Sequence, residues 1–110
     1  MRIAEMRKKM RPWHSTCSSI KTRIRASSRE MGRFKNARDN TDRDTEYVFW
    51  CAYSAGILDE ARKISRLTRE LNKVREKINE AEMTIADLKY EEKNRSERSW
   101  DAAMNPLYKS

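Results

Sequence analysis

Between residues 57 and 88, apolar side chains recur every seven positions against a polar background. Ile57, Ile64, Leu71, Ile78 and Ile85 hold one phase without a slip. Leu67, Val74, Ala81 and Leu88 hold a second, three residues further on, which Glu60 opens as its one polar member. A strict heptad keeps its stripe facing a partner only if the helix supercoils, so the pattern predicts a coiled coil. The segment contains no Gly or Pro and is filled out with Glu, Lys, Arg and Ala, all good helix formers.

The same alternation of three and four residues runs through the first third of the chain. It passes Ile3, Met6, Met10, Trp13, Cys17, Ile20, Ile24, Ser27, Met31 and Phe34, with Ser27 the polar interruption. Pro12 lies inside this row. Proline has no amide donor and crowds the preceding turn, so the first helix is expected to break or kink there. The Asp-, Asn- and Thr-rich stretch that follows favours turns and caps over helix. The expected organisation is therefore basic N-terminal helices over 1–38, a turn over 39–45, a long heptad helix over 46–95 and a tail over 96–110.

Two stripes of matching period predict an all-α fold: an antiparallel helical hairpin, or coiled coil, with a long C-terminal helix. A turn centred near residue 42 would set Phe34 against Trp50, Met31 against Tyr53, Trp13 against Leu71 and Met10 against Val74. The alternative is a parallel homodimer through the long helix, supported by Ile at one seam position and Leu or Val at the other. Its flanking pairs, Glu70 with Arg75 and Lys77 with Glu82, are exposed and worth under about 1 kcal/mol each. The hairpin explains both stripes at once and is preferred.

Residues 47–53 are apolar or aromatic at every position. A buried strand has that character too, but Trp50 and Tyr53 continue the heptad phase, which favours helix. A helix apolar all round must be covered on more than one side. Tyr47, Phe49, Trp50 and Tyr53 are therefore expected at a protein interface, where the hairpin associates with a second copy or a different partner. In that register the seam is filled to about Ala81, which leaves Ile85 and Leu88 open. Trp100, Leu107 and Tyr108 in the tail are candidates for the same interface.

Composition alone points toward disorder: Ile, Leu, Val and Phe fill 16 of 110 positions and the net charge is +8, below the roughly 20% usual in folded chains. A two-sided stripe needs fewer apolar residues than a globular core, and the heptads outweigh that signal. No apolar run approaches the roughly 18 residues of a membrane span. Two cysteines, Cys17 and Cys51, make no disulfide framework and suit a reducing, intracellular compartment.

Charge changes the picture more. Residues 1–38 carry twelve Lys and Arg against Glu5 and Glu30, whereas 39–110 are slightly acidic overall. Arg7, Lys8, Lys9 and Arg11 form one cluster; Lys21, Arg23, Arg25, Arg29, Arg33, Lys35 and Arg38 form another along a helix. Arginine, which binds phosphate bidentately, outnumbers lysine here. The expected partner is nucleic acid or a nucleoprotein, with an acidic protein surface as the alternative. Ser15, Ser18, Ser19, Thr22, Ser27 and Ser28 are small hydroxyl donors suited to phosphate contacts. His14 and Cys17 make a pair, short of the four ligands of structural zinc. With one histidine and no Gly-rich phosphate loop, the chain is expected to be a non-enzymatic binding protein, without metal or cofactor. The alternative function is a protein-binding adaptor or small inhibitor, gripping a larger protein through the aromatic segment, the basic face and the tail.

Overall fold

The computed structural model describes the backbone of residues 2–104 and the side chains of residues 2–95. Two helices, α1 (Ile3–Asp39) and α2 (Tyr47–Met104), pack as an antiparallel hairpin measuring 97 × 21 × 15 Å. The seam closes along the heptad positions: Met10, Cys17 and Ile20 of α1 are buried with Leu67, Leu71, Ile78, Ala81 and Ile85 of α2. Ile3, Met6, Trp13, Ile24 and Val74 pack half-buried against them. Burying each of these larger side chains contributes about 1.5–3 kcal/mol. Flanking polar residues stay in water.

α1 runs unbroken through Pro12, contrary to the expected break. Pro12 faces solvent, so the carbonyl that loses its helical donor can be hydrated. Buried Met10 and half-buried Trp13 pack the helix against α2 on either side of the proline. Proline still lowers helix stability by about 3 kcal/mol relative to alanine, and seam packing on both sides offsets it. α2 also continues beyond the expected limit at residue 95, to Met104.

The turn is a knot of local hydrogen bonds. The Thr41 hydroxyl donates to the Ala37 carbonyl at 2.6 Å, closing the end of α1. The Asp44 amide donates to Asp42 Oδ1 at 2.9 Å, and the Asp42 amide reaches Glu46 Oε1 at 3.4 Å. The Glu46 amide in turn donates to the Asp42 carbonyl at 2.8 Å, so Asp42 ties the turn to the entry of α2. Donors from the Asp44 and Thr45 backbones, then the Thr45 side chain, hold the Asp42 carboxyl below the ordinary carboxylate range.

Pairing along the seam differs from the expected register by one heptad. Phe34 packs on Gly56, its ring carbons 3.0 Å from where a Cβ would stand, rather than on Trp50. Near the open end, Met10 shares a groove with Glu82 and Ile85, and Trp13 shares one with Lys77 and Ala81. A Phe34–Trp50 layer would put two large rings between the helix axes, whereas glycine leaves room for one. The slip draws Ile85 into the core at 9% exposure and half-buries Leu88, both expected to remain open. In return, the first turn of α2 overhangs the end of α1. Tyr47, Val48 and Phe49 stand 58%, 77% and 59% exposed. The Arg43 guanidinium covers Trp50 instead, 4.8 Å from the ring centroid.

Candidate nucleic-acid interface

Because the seam fixes the rotation of α1, it also sorts the basic residues by direction. Seam positions recur at three and four residues, so side chains one and four places after each Ile3-phase position line one flank. On α1 that flank reads Arg7, Arg11, His14, Ser18, Lys21, Arg25, Ser28 and Lys35, all exposed. Lys9, Arg23 and Arg33 fall on the opposite flank, and Lys8 and Arg29 on the outer ridge. Arg38 lies half-buried near the turn, with Asp39 3.9 Å away. The two sequence clusters thus do not form one surface. The structure brings Arg7, Arg11, Lys21, Arg25 and Lys35 together and sends the rest elsewhere.

Antiparallel packing places like flanks of the two helices side by side. One groove is lined by Arg7, Met10, Arg11 and His14 of α1 with Glu82 and Ile85 of α2. On the other side, Lys9 and Trp13 border Lys77, Glu80 and Thr84. The first flank therefore continues onto α2 through Ser65, Thr68, Asn72, Arg75, Asn79, Glu82 and Lys89. Of these, Glu82 is the lone acid. The second flank is mixed, with Glu30, Asp59, Glu70, Glu80 and Asp87 among its lysines and arginines.

Ion pairing follows the same division. Arg33–Glu30 at 3.2 Å, Lys63–Glu60 at 3.1 Å and Arg62–Asp59 at 3.9 Å lie on or beside the mixed flank. Among the described residues, Arg7, Arg11, Lys21, Arg25, Lys35, Arg75 and Lys89 have no carboxylate within ion-pair distance. Their charge is held in water rather than neutralised internally.

Of the candidate phosphate donors, Ser18 and Ser28 lie on the basic flank. The Thr22 hydroxyl donates to the Ser18 carbonyl at 3.0 Å, and Ser27 is half-buried at the seam. Trp13 packs against the core. Arg75 and Lys89 are not among the sequence candidates, because residues 39–110 are slightly acidic overall. The heptad phase that α1 and α2 share is the signal that places them on this flank.

At the bend, the residues expected at a protein interface divide. Tyr47 and Phe49 are open, Trp50 and Tyr53 half-buried. The Tyr47 hydroxyl titrates above its ordinary value, chiefly through a hydrogen bond with the Cys51 side chain, while Arg43 acts in the opposite direction. Leu58, Met83 and Tyr90 add further exposed apolar surface along α2. The side chains of Trp100, Leu107 and Tyr108 lie outside the described residues. Both cysteines are free. Among the described residues, no three His, Cys, Asp or Glu side chains are grouped to hold a metal ion, and no helix is long and apolar enough to cross a membrane. No family model, no curated protein and no solved structure matches this chain.

Proposed function

We propose that this chain is a non-enzymatic binding protein whose basic α1 surface engages nucleic acid. One observation carries the reading: Arg7, Arg11, Lys21, Arg25 and Lys35 project from one side of a single helix, exposed and without carboxylate partners among the described residues. From Arg7 to Lys35 the row spans roughly 42 Å at 1.5 Å per residue. A duplex presents one phosphate charge per about 1.7 Å of axis, so a straight row of this length meets many of them. Guanidinium groups with no internal partner release condensed counterions when they bind, which drives association and makes it salt-dependent. The seam supplies a rigid scaffold, and recognition rides on its flank.

The test is titration of a labelled duplex and a labelled single strand with the protein across a salt series. Micromolar binding that weakens steeply with salt supports the proposal. An absence of binding at low salt refutes it.

A second reading rests on the overhanging bend. Tyr47, Val48, Phe49 and Leu58 are exposed apolar groups at one end of an extended molecule, a surface that suggests association with a partner or a second copy. Under this reading the chain is an adaptor or inhibitor, and nucleic acid is incidental. Sedimentation of the wild type against Phe49→Asp, and affinity capture after nuclease treatment, separate the two. A nuclease-resistant complex that the substitution abolishes favours the adaptor.

A further inference from the structure

We infer that the nucleic-acid backbone lies along one face built from both helices, with Arg75 and Lys89 of α2 completing the row begun on α1. This rests on the proposed nucleic-acid reading and narrows it from a basic helix to a two-helix surface. The geometric ground is the shared groove in which Arg7, Arg11 and His14 of α1 stand beside Glu82 of α2. Arg75 lies two turns before Glu82 on the same flank of α2, and Lys89 two turns after it.

Between the charged positions this face carries small uncharged polar side chains: Ser18 and Ser28 on α1, and Ser65, Asn72 and Asn79 on α2. Such groups let a backbone approach closely and donate to phosphate oxygens without competing charge. The opposite face has comparable numbers of lysine and arginine but intersperses them with Glu30, Asp59, Glu70, Glu80 and Asp87. Two of its ion pairs are already closed, at 3.2 and 3.1 Å. A polyanion brought to that side would meet carboxylates along most of its length.

Glu82 has a particular consequence. It is exposed, shares the groove with two arginines, and forms no ion pair with them within 4 Å. Its carboxylate stands where a phosphate would, so it weakens the ligand's hold locally. Neutralising it raises affinity, a gain that partial unfolding cannot imitate.

The experiment uses the full-length chain and a labelled duplex of ~28 base pairs, matching the rod at about 3.4 Å per pair. Two double variants remove equal charge from α2: Arg75→Glu with Lys89→Glu on the inferred face, and Lys73→Glu with Lys77→Glu on the other. The first is expected to lower affinity by an order of magnitude or more and to reduce the salt slope by about 2, at roughly 0.9 per phosphate contact. The second changes affinity less than about threefold, through long-range charge that salt screens. Glu82→Gln is expected to raise affinity several-fold. Circular dichroism of each variant confirms retained helix. If both double variants lose affinity equally, or Glu82→Gln gains none, binding is diffuse and the two-helix face is wrong although the nucleic-acid reading stands. If the wild type fails to bind either duplex or single strand, the reading and this inference fall together.

Discussion

The two glycines, Gly32 and Gly56, provide a direct measurement of the register. Both sit in helix interiors, where alanine is favoured over glycine by about 1 kcal/mol. A Cβ at Gly32 meets nothing within 4 Å, so Gly32→Ala should deliver that full gain. A Cβ at Gly56 would stand 3.0 Å from three ring carbons of Phe34, closer than carbon atoms pack. Forcing a methyl into such a contact typically costs about 1–3 kcal/mol, which cancels or outweighs the propensity gain. Gly56→Ala should therefore be neutral to destabilising by about 2 kcal/mol, leaving the two variants roughly 1–3 kcal/mol apart. Urea denaturation followed by far-ultraviolet circular dichroism resolves that gap. Adding Phe34→Ala should convert Gly56→Ala from a liability into a gain, because the obstructing ring is gone. Equal stabilisation by both single variants would refute the contact, and with it the one-heptad slip.

Two further outcomes follow from the seam and the turn. Glu60 is buried in an apolar row with the exposed Lys63 amine 3.1 Å away; Glu60→Leu removes the desolvated carboxylate, fills that layer with carbon and should stabilise the hairpin by about 1–3 kcal/mol in the same assay. Because the Asp42 carboxyl titrates below its ordinary value of 3.8, its contribution to stability is complete above that pH and disappears as the pH falls through the lowered native value. The advantage of wild type over Asp42→Ala should accordingly hold from neutral pH down to about pH 4 and vanish in stronger acid; an advantage unchanged by acid would show that the charge has no part in the turn.

Much of the fold was legible because a heptad specifies direction. Once Ile57 and Ile3 are assigned to the seam, the rotation of every other residue follows, including the exposure of Arg7 and the burial of Leu71. What a heptad does not specify is the layer. Sliding α1 along α2 by seven residues still sets the same kinds of positions face to face, so Met10 meets an apolar residue at Val74 or at Ala81. The choice was made by volume at one point, where Phe34 needs the empty space above Gly56, and by a turn that carries α2 past the end of α1. Neither leaves a periodic trace.

Pro12 misled for a related reason. Local propensity registered its missing donor, while the side chains against which Met10 and Trp13 pack belong to α2, some sixty residues away in sequence. The basic face was half visible for a third reason: its α2 members, Arg75 and Lys89, are diluted by acids that are near in sequence but point the other way.

The lack of carboxylates on the α1 side of the basic flank also bears on how firmly α1 is folded. Arg7 with Arg11, Lys21 with Arg25, Arg25 with Arg29, and Arg29 with Arg33 are like charges four residues apart, each destabilising a helix by a few tenths of a kcal/mol. Against them, among the described residues, α1 sets the Glu30–Arg33 pair at 3.2 Å and the longer Arg38–Asp39 pair at 3.9 Å. Mobile ions relieve that repulsion, so added salt should tighten the free hairpin and, under the proposed function, loosen its grip on a polyanion. The two equilibria thus answer to ionic strength with opposite sign. A polyanion bound as proposed would do for α1 what salt does, adding stability that grows with ligand concentration.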